Sequence, residues 1–433
     1  MSAALALRPL GQSLGLADVE AASQALADPA WLKERRLAAW AAWQRLAADP
    51  AASGTRFLEG LRQAFSFGVA ASSPAPEAQA LSLDSAWGPL SGLLRYGQGL
   101  EPQALLSPAL KAQGVRVLTL RQALAEQPEL VRRHLFSCTK PDETSLAALH
   151  AALLGPGALV HVPRGVKVAA PLRLEGLAGQ AFFPHTLVVL EEAAELTVVD
   201  SVASQGSEAG LTSAVSELVL GAASRLHYIH HQGLNTKSAF SLRQRTALAS
   251  SAYLYTLSLV SGGAVSSSHI ESSLQQEGGS VDLLGLVLAK GDQQVEIRTL
   301  QDHAARNGAS DALVKSILRG KARFYFDGVV KIAKAGQGSN AFQSNPNLLL
   351  SSDCRAESIP TLEIEADDVA CKHAASLGSL DEEQKFYLLS RGISEQDAET
   401  AIVEGFAAEV AQRLPTGPLQ DSFIEMLAGL ARG

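Results

Sequence analysis

The sequence predicts a mainly β protein built around a stacked β-solenoid, with helices before and after it. Three observations carry this. From residue 155 onward, helical spacing gives way to short runs that alternate apolar and polar residues, the pattern of strands with one buried face. The runs come in similar pairs: HTLVVL with LTVV, SELVL with RLHYI, FSLRQRTAL with AYLYTLSLV, HIESSL with VDLLGLVLA, and LVKSIL with RFYFDGVV. Short links rich in small residues join each pair, near 193, 222, 250, 278 and 320. The first four links recur at about 28–29 residues, the mark of a repeat array. Strand after strand over roughly 200 residues leaves a solenoid, a large sandwich or a barrel. Regular small-residue corners favour the solenoid, because each coil turns at the same place.

The flanks read differently. The first 70 residues are helical in pattern. Asp18 to Leu46 is Ala-rich with apolar residues at helical spacing, carries Trp31, Trp40 and Trp43, and has a break at Asp28-Pro29. Residues 72–84 (SSPAPEAQALSLD) read as a linker. A strand is expected over Val115–Thr119 and a charged helix over Leu120–His134. The stretch between Leu300 and Leu313 (QDHAARNGASDA) reads as an insertion that breaks the repeat. Beyond about residue 374 helices return: Leu380–Ser390 with an acidic start and Gly392 as its stop, a second helix capped by Ser394 and running to about Arg413, and a short last one after Pro418. Helices in that place are expected to cap the exposed end of the array. The expected division is a mostly helical domain with a linker over 1–150, a β-helix core over 151–370, and a helical domain over 371–433.

Composition narrows the function. Hydrophobic residues make up 47% and charged residues 18% of the 433, enough to bury a sizeable core and too apolar for disorder. A net charge of −8 is the wrong sign for a mainly electrostatic nucleic-acid binder. No run of 18 apolar residues suggests a membrane span, and the start lacks a basic end ahead of an apolar stretch. Three cysteines exclude a disulfide framework and fit a reducing cytoplasm. There is no GxxxxGK[ST], no GxGxxG opening a helix, no HExxH, no GxSxG, and no carboxylate pair suited to sugar cleavage.

Few side chains are left to carry chemistry. Cys371 and His373 stand two apart in ADDVACKHAAS, so on a strand they share one face. A thiolate beside an imidazole suits iron or zinc, but two ligands do not close a site; the rest must come from elsewhere, such as another subunit. Cys354, one strand earlier, is a third candidate if the solenoid stacks it near Cys371; the alternative is a small apolar filler at a corner. In HYIHH, His227, His230 and His231 cannot all meet, because the last two point to opposite faces. Asp302 and His303 are adjacent in the expected insertion without an evident Ser or Cys partner, so no triad is read.

A longer pattern runs through Asp302-His303, Ser310, Lys315, Phe324, Phe326-Asp327-Gly328, Ala341, Gln343, Asn347 to Ser351, Pro360 to Ile364, Ala366 to Val369, Cys371, His373, Phe386-Tyr387-Leu388 and Ser390 to Ile393. In that order, it resembles the SufB/SufD family of iron–sulfur cluster assembly proteins. A weaker likeness extends back to about residue 115. The ADDVxCxH segment and the short length are similar to the SufD type; Ala374 stands where that type usually has Gly and the SufB type Glu.

The resemblance implies a right-handed parallel β-helix flanked by helical domains. It implies a heterodimer with SufB, docking of the SufC ATPase on the C-terminal helical domain, and a nascent cluster at the SufB–SufD interface. His373 would be this side's ligand, with Cys371 beside it and Cys354 as an additional one. The chain itself would be no enzyme and hold no permanent cofactor, the cluster being transient, and on its own it would pair with a second copy. Neither nucleic acid nor membrane is expected as a partner. The competing readings are a SufB-like scaffold paralogue, a structural solenoid without a cluster role, and a polysaccharide-acting β-helix enzyme. The last would need paired carboxylates and aromatic platforms, and aromatics are only 5%.

Overall fold

The computed structural model describes residues 15–47, 84–85, 88–415 and 417–432. The expected linker over 72–83 and the helical pattern over 48–70 lie outside the described residues. The N-terminal helices are α1 (Leu16–Leu26), α2 (Ala30–Leu46), α3 (Pro108–Ala112), α4 (Leu120–Glu126), α5 (Pro128–His134) and α6 (Ser145–Ala152). Pro29 is the N-cap of α2, and the preceding Asp28 holds Arg36 in a fully buried ion pair at 2.5 Å. The charged helix expected over 120–134 is two helices, because Pro128 starts α5 afresh. Two short strands, β1 (Asp84–Ser85) and β2 (Gly88–Pro89), form an isolated antiparallel pair.

The body is a parallel β-solenoid with two faces, each a ten-stranded sheet. One sheet takes β3 (Gly92–Gly97), β4 (Gln103–Leu106), β7 (Leu172–Ala178), β10 (Glu195–Ser204), β12 (Arg225–Gly233), β14 (Tyr253–Val260), β16 (Ser280–Ala289), β18 (Ala309–Leu318), β20 (Ser339–Leu349) and β22 (Val369–Ser379). The other takes β5 (Arg116–Thr119), β6 (Ala158–Val162), β8 (Ala181–Phe182), β9 (His185–Leu190), β11 (Leu211–Leu220), β13 (Ala239–Leu248), β15 (Val265–Leu274), β17 (Gln294–His303), β19 (Arg323–Ile332) and β21 (Arg355–Ile364). We call these the first and second sheets. From β9 onward successive strands alternate between them, and each pairs in parallel with the one two places on. Side chains in register therefore stack in columns, one coil above the next.

The corners explain the repeat. Ala193, Ala223, Ser251, Gly278, Asn307 and Gly338 all take left-handed φ. Each donates its N–H to a corner carbonyl of the next coil: to Ala222, Ser250, Glu277, Arg306, Gln337 and Asp368. Small residues and Asn suit this conformation. The expected insertion at 301–312 is not one. Gln301, Asp302 and His303 end β17 in unbroken register with Val330, Lys331 and Ile332, and residues 304–308 are a corner like the others. The rhythm broke in the sequence because RGKA at 320 is a corner of the opposite side of the coil.

The outer faces are covered in part. Leu187, Val189, Leu211 and Ala239 on the outside of the second sheet pack with Val19, Leu32, Trp40 and Leu149 of the N-terminal helices. At the C-terminus stand α7 (Glu382–Ser390), α8 (Glu395–Gln412) and α9 (Pro418–Arg432). Here an expectation fails: α8 and α9 do not cap the end of the array. They lie against the outer face of the first sheet, where Val403, Ala407, Val410, Phe423 and Leu427 cover Ile229, Leu257, Leu284, Leu286 and Ile317. Apolar residues on both faces are why YLYTLSLV and VDLLGLVLA do not alternate cleanly. Lys315 pins α8, donating to the Phe406 carbonyl at 2.9 Å and pairing with Glu409 at 2.6 Å. The first coil is closed by antiparallel strands, β4 on β3 and β5 on β6. The last coil, β21 and β22, has no strand paired on its outer edges among the described residues. A boundary drawn at 370/371 would fall within β22, which runs to Ser379.

Candidate functional site

Cys371 and His373 stand on β22, the edge strand of the last coil. They are in register with Ala341 and Gln343 of β20. Ala341 and Gln343 are buried, whereas their neighbours Asn340 and Phe342 are exposed. Parallel partners share a face, so Cys371 and His373 stand on the lumen side, at the rim of the open coil. His373 is exposed and Cys371 half-buried, packed near Val330, Ile332 and Ala366. Burial pushes the Cys371 thiol up, partly offset by a backbone hydrogen bond from Ala341. The thiol is thus held protonated until a metal displaces the proton. The rim is apolar as well: Ile359, Ile364 and Leu377 on the last coil are large and exposed, Leu377 at 60%.

Cys354 does not join them. It sits at the start of β21, whereas Cys371 follows that strand's end. Ten strand residues separate the two, on the order of 30 Å at about 3.3 Å each. Cys354 is 1% exposed in the main core, its Sγ donating to the Gly320 carbonyl at 3.3 Å. The corner-filler alternative describes it. Among the described residues no three His, Cys, Asp or Glu side chains converge as a metal site. The pair at the rim is therefore an incomplete ligand set.

The other candidates are also placed. His230 faces the lumen, and His227 and His231 face outward. Burial lowers the pKa of His230 and of His231 to about 4. His303 does have a hydroxyl partner, which the sequence did not disclose: its Nε2 lies 2.7 Å from Ser310 Oγ across the corner. Both are buried in the lumen, at 0% and 4% exposure, so no substrate reaches them. Asp302 points away, accepting from Ser273 at 3.2 Å. A second buried cluster also went unread: Glu217 accepts the N–H groups of Phe136, Cys138 and Thr139 and faces His185 Nε2 at 3.0 Å. It ties the 136–139 loop to β11. Only tertiary pairing, with partners some 80 residues apart, reveals it.

A second exposed surface lies on α7. Asp381 caps it, accepting from the Glu383 and Gln384 N–H groups. No residue of α7 is buried, and Phe386 (72% exposed), Tyr387 and Leu389 are open to solvent, with Ile393 beyond it.

The model for the SufBD core domain of the SUF iron–sulfur cluster assembly system matches residues 172–406, over half of the chain. The chain belongs to the SufBD family. The SufBD N-terminal region model matches residues 103–174, so the two matches together run from β4 into α8. Among curated SufBD relatives, the chain is 29% identical over 329 residues to the iron–sulfur cluster assembly protein SufD of Bacillus subtilis, covering 74% of this chain and 75% of the relative. It is 32% identical over 263 residues to SufD of Escherichia coli, covering 59% and 62%. It is 27% identical over 310 residues to SufB of Bacillus subtilis, covering 71% and 67%. Cys354, Cys371 and His373 all lie within the matched SufBD core. No helix among the described residues is long and apolar enough to cross a membrane.

Proposed function

We propose that this SufBD-family chain is a non-catalytic, SufD-type subunit of a cytoplasmic SUF assembly complex. It pairs with SufB through its last coil, and a nascent iron–sulfur cluster forms at that junction, with His373 and Cys371 as this chain's contribution. One observation carries the reading: the ligand pair stands on an open edge strand beside exposed Ile364 and Leu377. An exposed apolar strand edge invites strand pairing with another chain. Such a partner would bury the rim and bring the missing ligands to the incomplete set. The iron and sulfur are cargo here, and this chain holds no cofactor of its own. The exposed Phe386, Tyr387 and Ile393 around α7 are the surface on which the SufC ATPase docks. Docking a nucleotide-driven partner there lets it bias two arrangements of the complex by differential contacts.

Co-expression with SufB and SufC, followed by purification on a tag carried by this chain, tests the pairing. The expected result is a stable complex whose SufB is lost when Ala375→Pro breaks the donor pattern of β22, with SufC retained. SufB that stays bound to the Ala375→Pro chain would move the interface elsewhere. Failure of either protein to co-purify with the unaltered chain would remove the assembly reading and leave the structural solenoid.

A further inference from the structure

Ser213, His150, His185 and Glu217 form an unbroken chain of polar contacts where the N-terminal helices meet the second sheet. His150 Nδ1 lies 2.8 Å from the Ser213 carbonyl, His150 Nε2 lies 3.3 Å from His185 Nδ1, and His185 Nε2 lies 3.0 Å from Glu217 Oε2. Both imidazoles and Glu217 are fully buried. His150 stands on α6, His185 on β9 and Glu217 on β11.

The two ends of this chain decide how many protons it holds. The Ser213 carbonyl only accepts, so His150 Nδ1 carries a proton. Glu217 also accepts the N–H groups of Phe136, Cys138 and Thr139. With His185 that engages all four of its lone-pair sites, as befits a carboxylate, so His185 Nε2 carries a proton too. A third is needed between the rings, because two bare nitrogens 3.3 Å apart repel. Three contacts need three protons, and two neutral imidazoles bring two. Burial, and then His185, push His150 well below the ordinary imidazole value. The third proton therefore belongs to His185, beside the Glu217 carboxylate.

The surrounding charges do not replace it. Arg245, one rung from Glu217, pairs with Glu143 and Glu271 and donates to the Cys138 carbonyl. Arg243 and His269 lie near His150 and pair with Glu143 and Glu271. On α2, Arg36 pairs with Asp28 and Arg35 donates to the Leu135 carbonyl. His134 and Cys138 lie within electrostatic reach of Glu217. All four ring nitrogens of His150 and His185 are met within the chain itself. The loop so held is strained: Phe136 takes φ +60, rare for a bulky residue, and its ring stands edge-on to His185 at 5.0 Å.

We propose that His185 holds a proton on each ring nitrogen in the folded chain, and that this extra proton latches the 136–139 loop and α6 onto the second sheet. Losing it leaves the gap between the rings without a donor and Glu217 without its counter-charge. Opening the latch frees His185 to release the proton above about pH 6.5. The latch is thus strongest near that pH and weakens as pH rises, while His150, buried neutral, opposes it only on the acid side. This is a property of the chain alone and stands whichever partner it takes.

Histidine-selective nitrogen-15 NMR on the full chain at about pH 7.5, where a free imidazole is neutral, reads the proton on each ring nitrogen. The expected result is His185 protonated on both and His150 neutral with its proton on Nδ1. Amide exchange across residues 136–139, corrected for intrinsic rates, gives the opening equilibrium. It should rise about tenfold per pH unit between about pH 7 and 8. The amide of Glu217→Gln supplies the third proton covalently, so in that variant His185 should turn neutral and the pH slope should vanish. Two neutral rings in the unaltered chain, or an opening equilibrium that does not change with pH, overturns the proposal. Both readings use the unaltered chain, so a variant that fails to fold does not shelter it.

Discussion

At the residue scale, two groups carry most of the consequences. Cys371 must lose a proton to bind iron, and burial makes that proton harder to remove. Iron occupancy of the assembled complex should therefore rise with pH above neutrality, and Cys371→Ser should flatten that rise; iron content measured after reconstitution at several pH values reads it. Asp200 gives a second test. Burial raises its carboxyl to about 6, although Tyr228 and Thr186 both donate to it. A raised acid binds its proton more tightly in the folded state. Its contribution to stability is thus full below the unfolded value near 4 and is lost as pH rises to about 6. Lowered histidines work the other way: His230, at about 4, contributes stability above pH 6.5 that is lost on acidification. In the unaltered chain the two partly cancel. Asp200→Asn should remove the first, leaving a steeper acid loss between pH 6.5 and 4, by on the order of 2–3 kcal/mol. Urea unfolding at each pH measures it, and an unchanged slope would contradict the assignment.

At the element scale, the corner is the unit that the sequence displayed best. The small-residue links near 193, 222, 250 and 278 were legible because a left-handed residue recurs at each one and only a few side chains tolerate it. Ala223 takes φ +55, so Ala223→Gly should stabilise the chain by about 1 kcal/mol, read as a higher melting temperature. The corner at 304–308 was missed for a physical reason. Its left-handed residue is Asn307, and Arg306 beside it interrupts the small residues Ala304, Ala305 and Gly308, although Asn tolerates the same conformation. The Glu217 clamp was invisible because its donors are backbone groups of a distant loop. Glu217→Ala leaves three N–H groups and His185 unsatisfied in a buried place. It should cost about 3 kcal/mol or more, measured by denaturant unfolding.

At the scale of the whole molecule, the two ends of the solenoid differ, and the difference is where function sits. Antiparallel strands close the first coil, while among the described residues the last ends in two edges with no strand paired on them. The solenoid itself and the CxH pair on one strand face were readable from alternation and spacing. The open end was not: helical segments following an array suggest a cap, and only tertiary packing shows α8 and α9 spent on the side of the first sheet. The same limit applies to Cys354, since its distance from Cys371 depends on which corner of the coil it occupies. The fold thus presents an incomplete ligand pair at a surface made to be covered. The most direct test is the visible absorbance of the co-purified complex after anaerobic reconstitution with iron and sulfide, with the unaltered chain and with His373→Ala. Iron–sulfur absorbance that appears in the complex, is absent from this chain alone, and drops sharply with His373→Ala while the complex stays intact is the expected result. Full absorbance with His373→Ala would contradict the claim that this rim supplies a ligand.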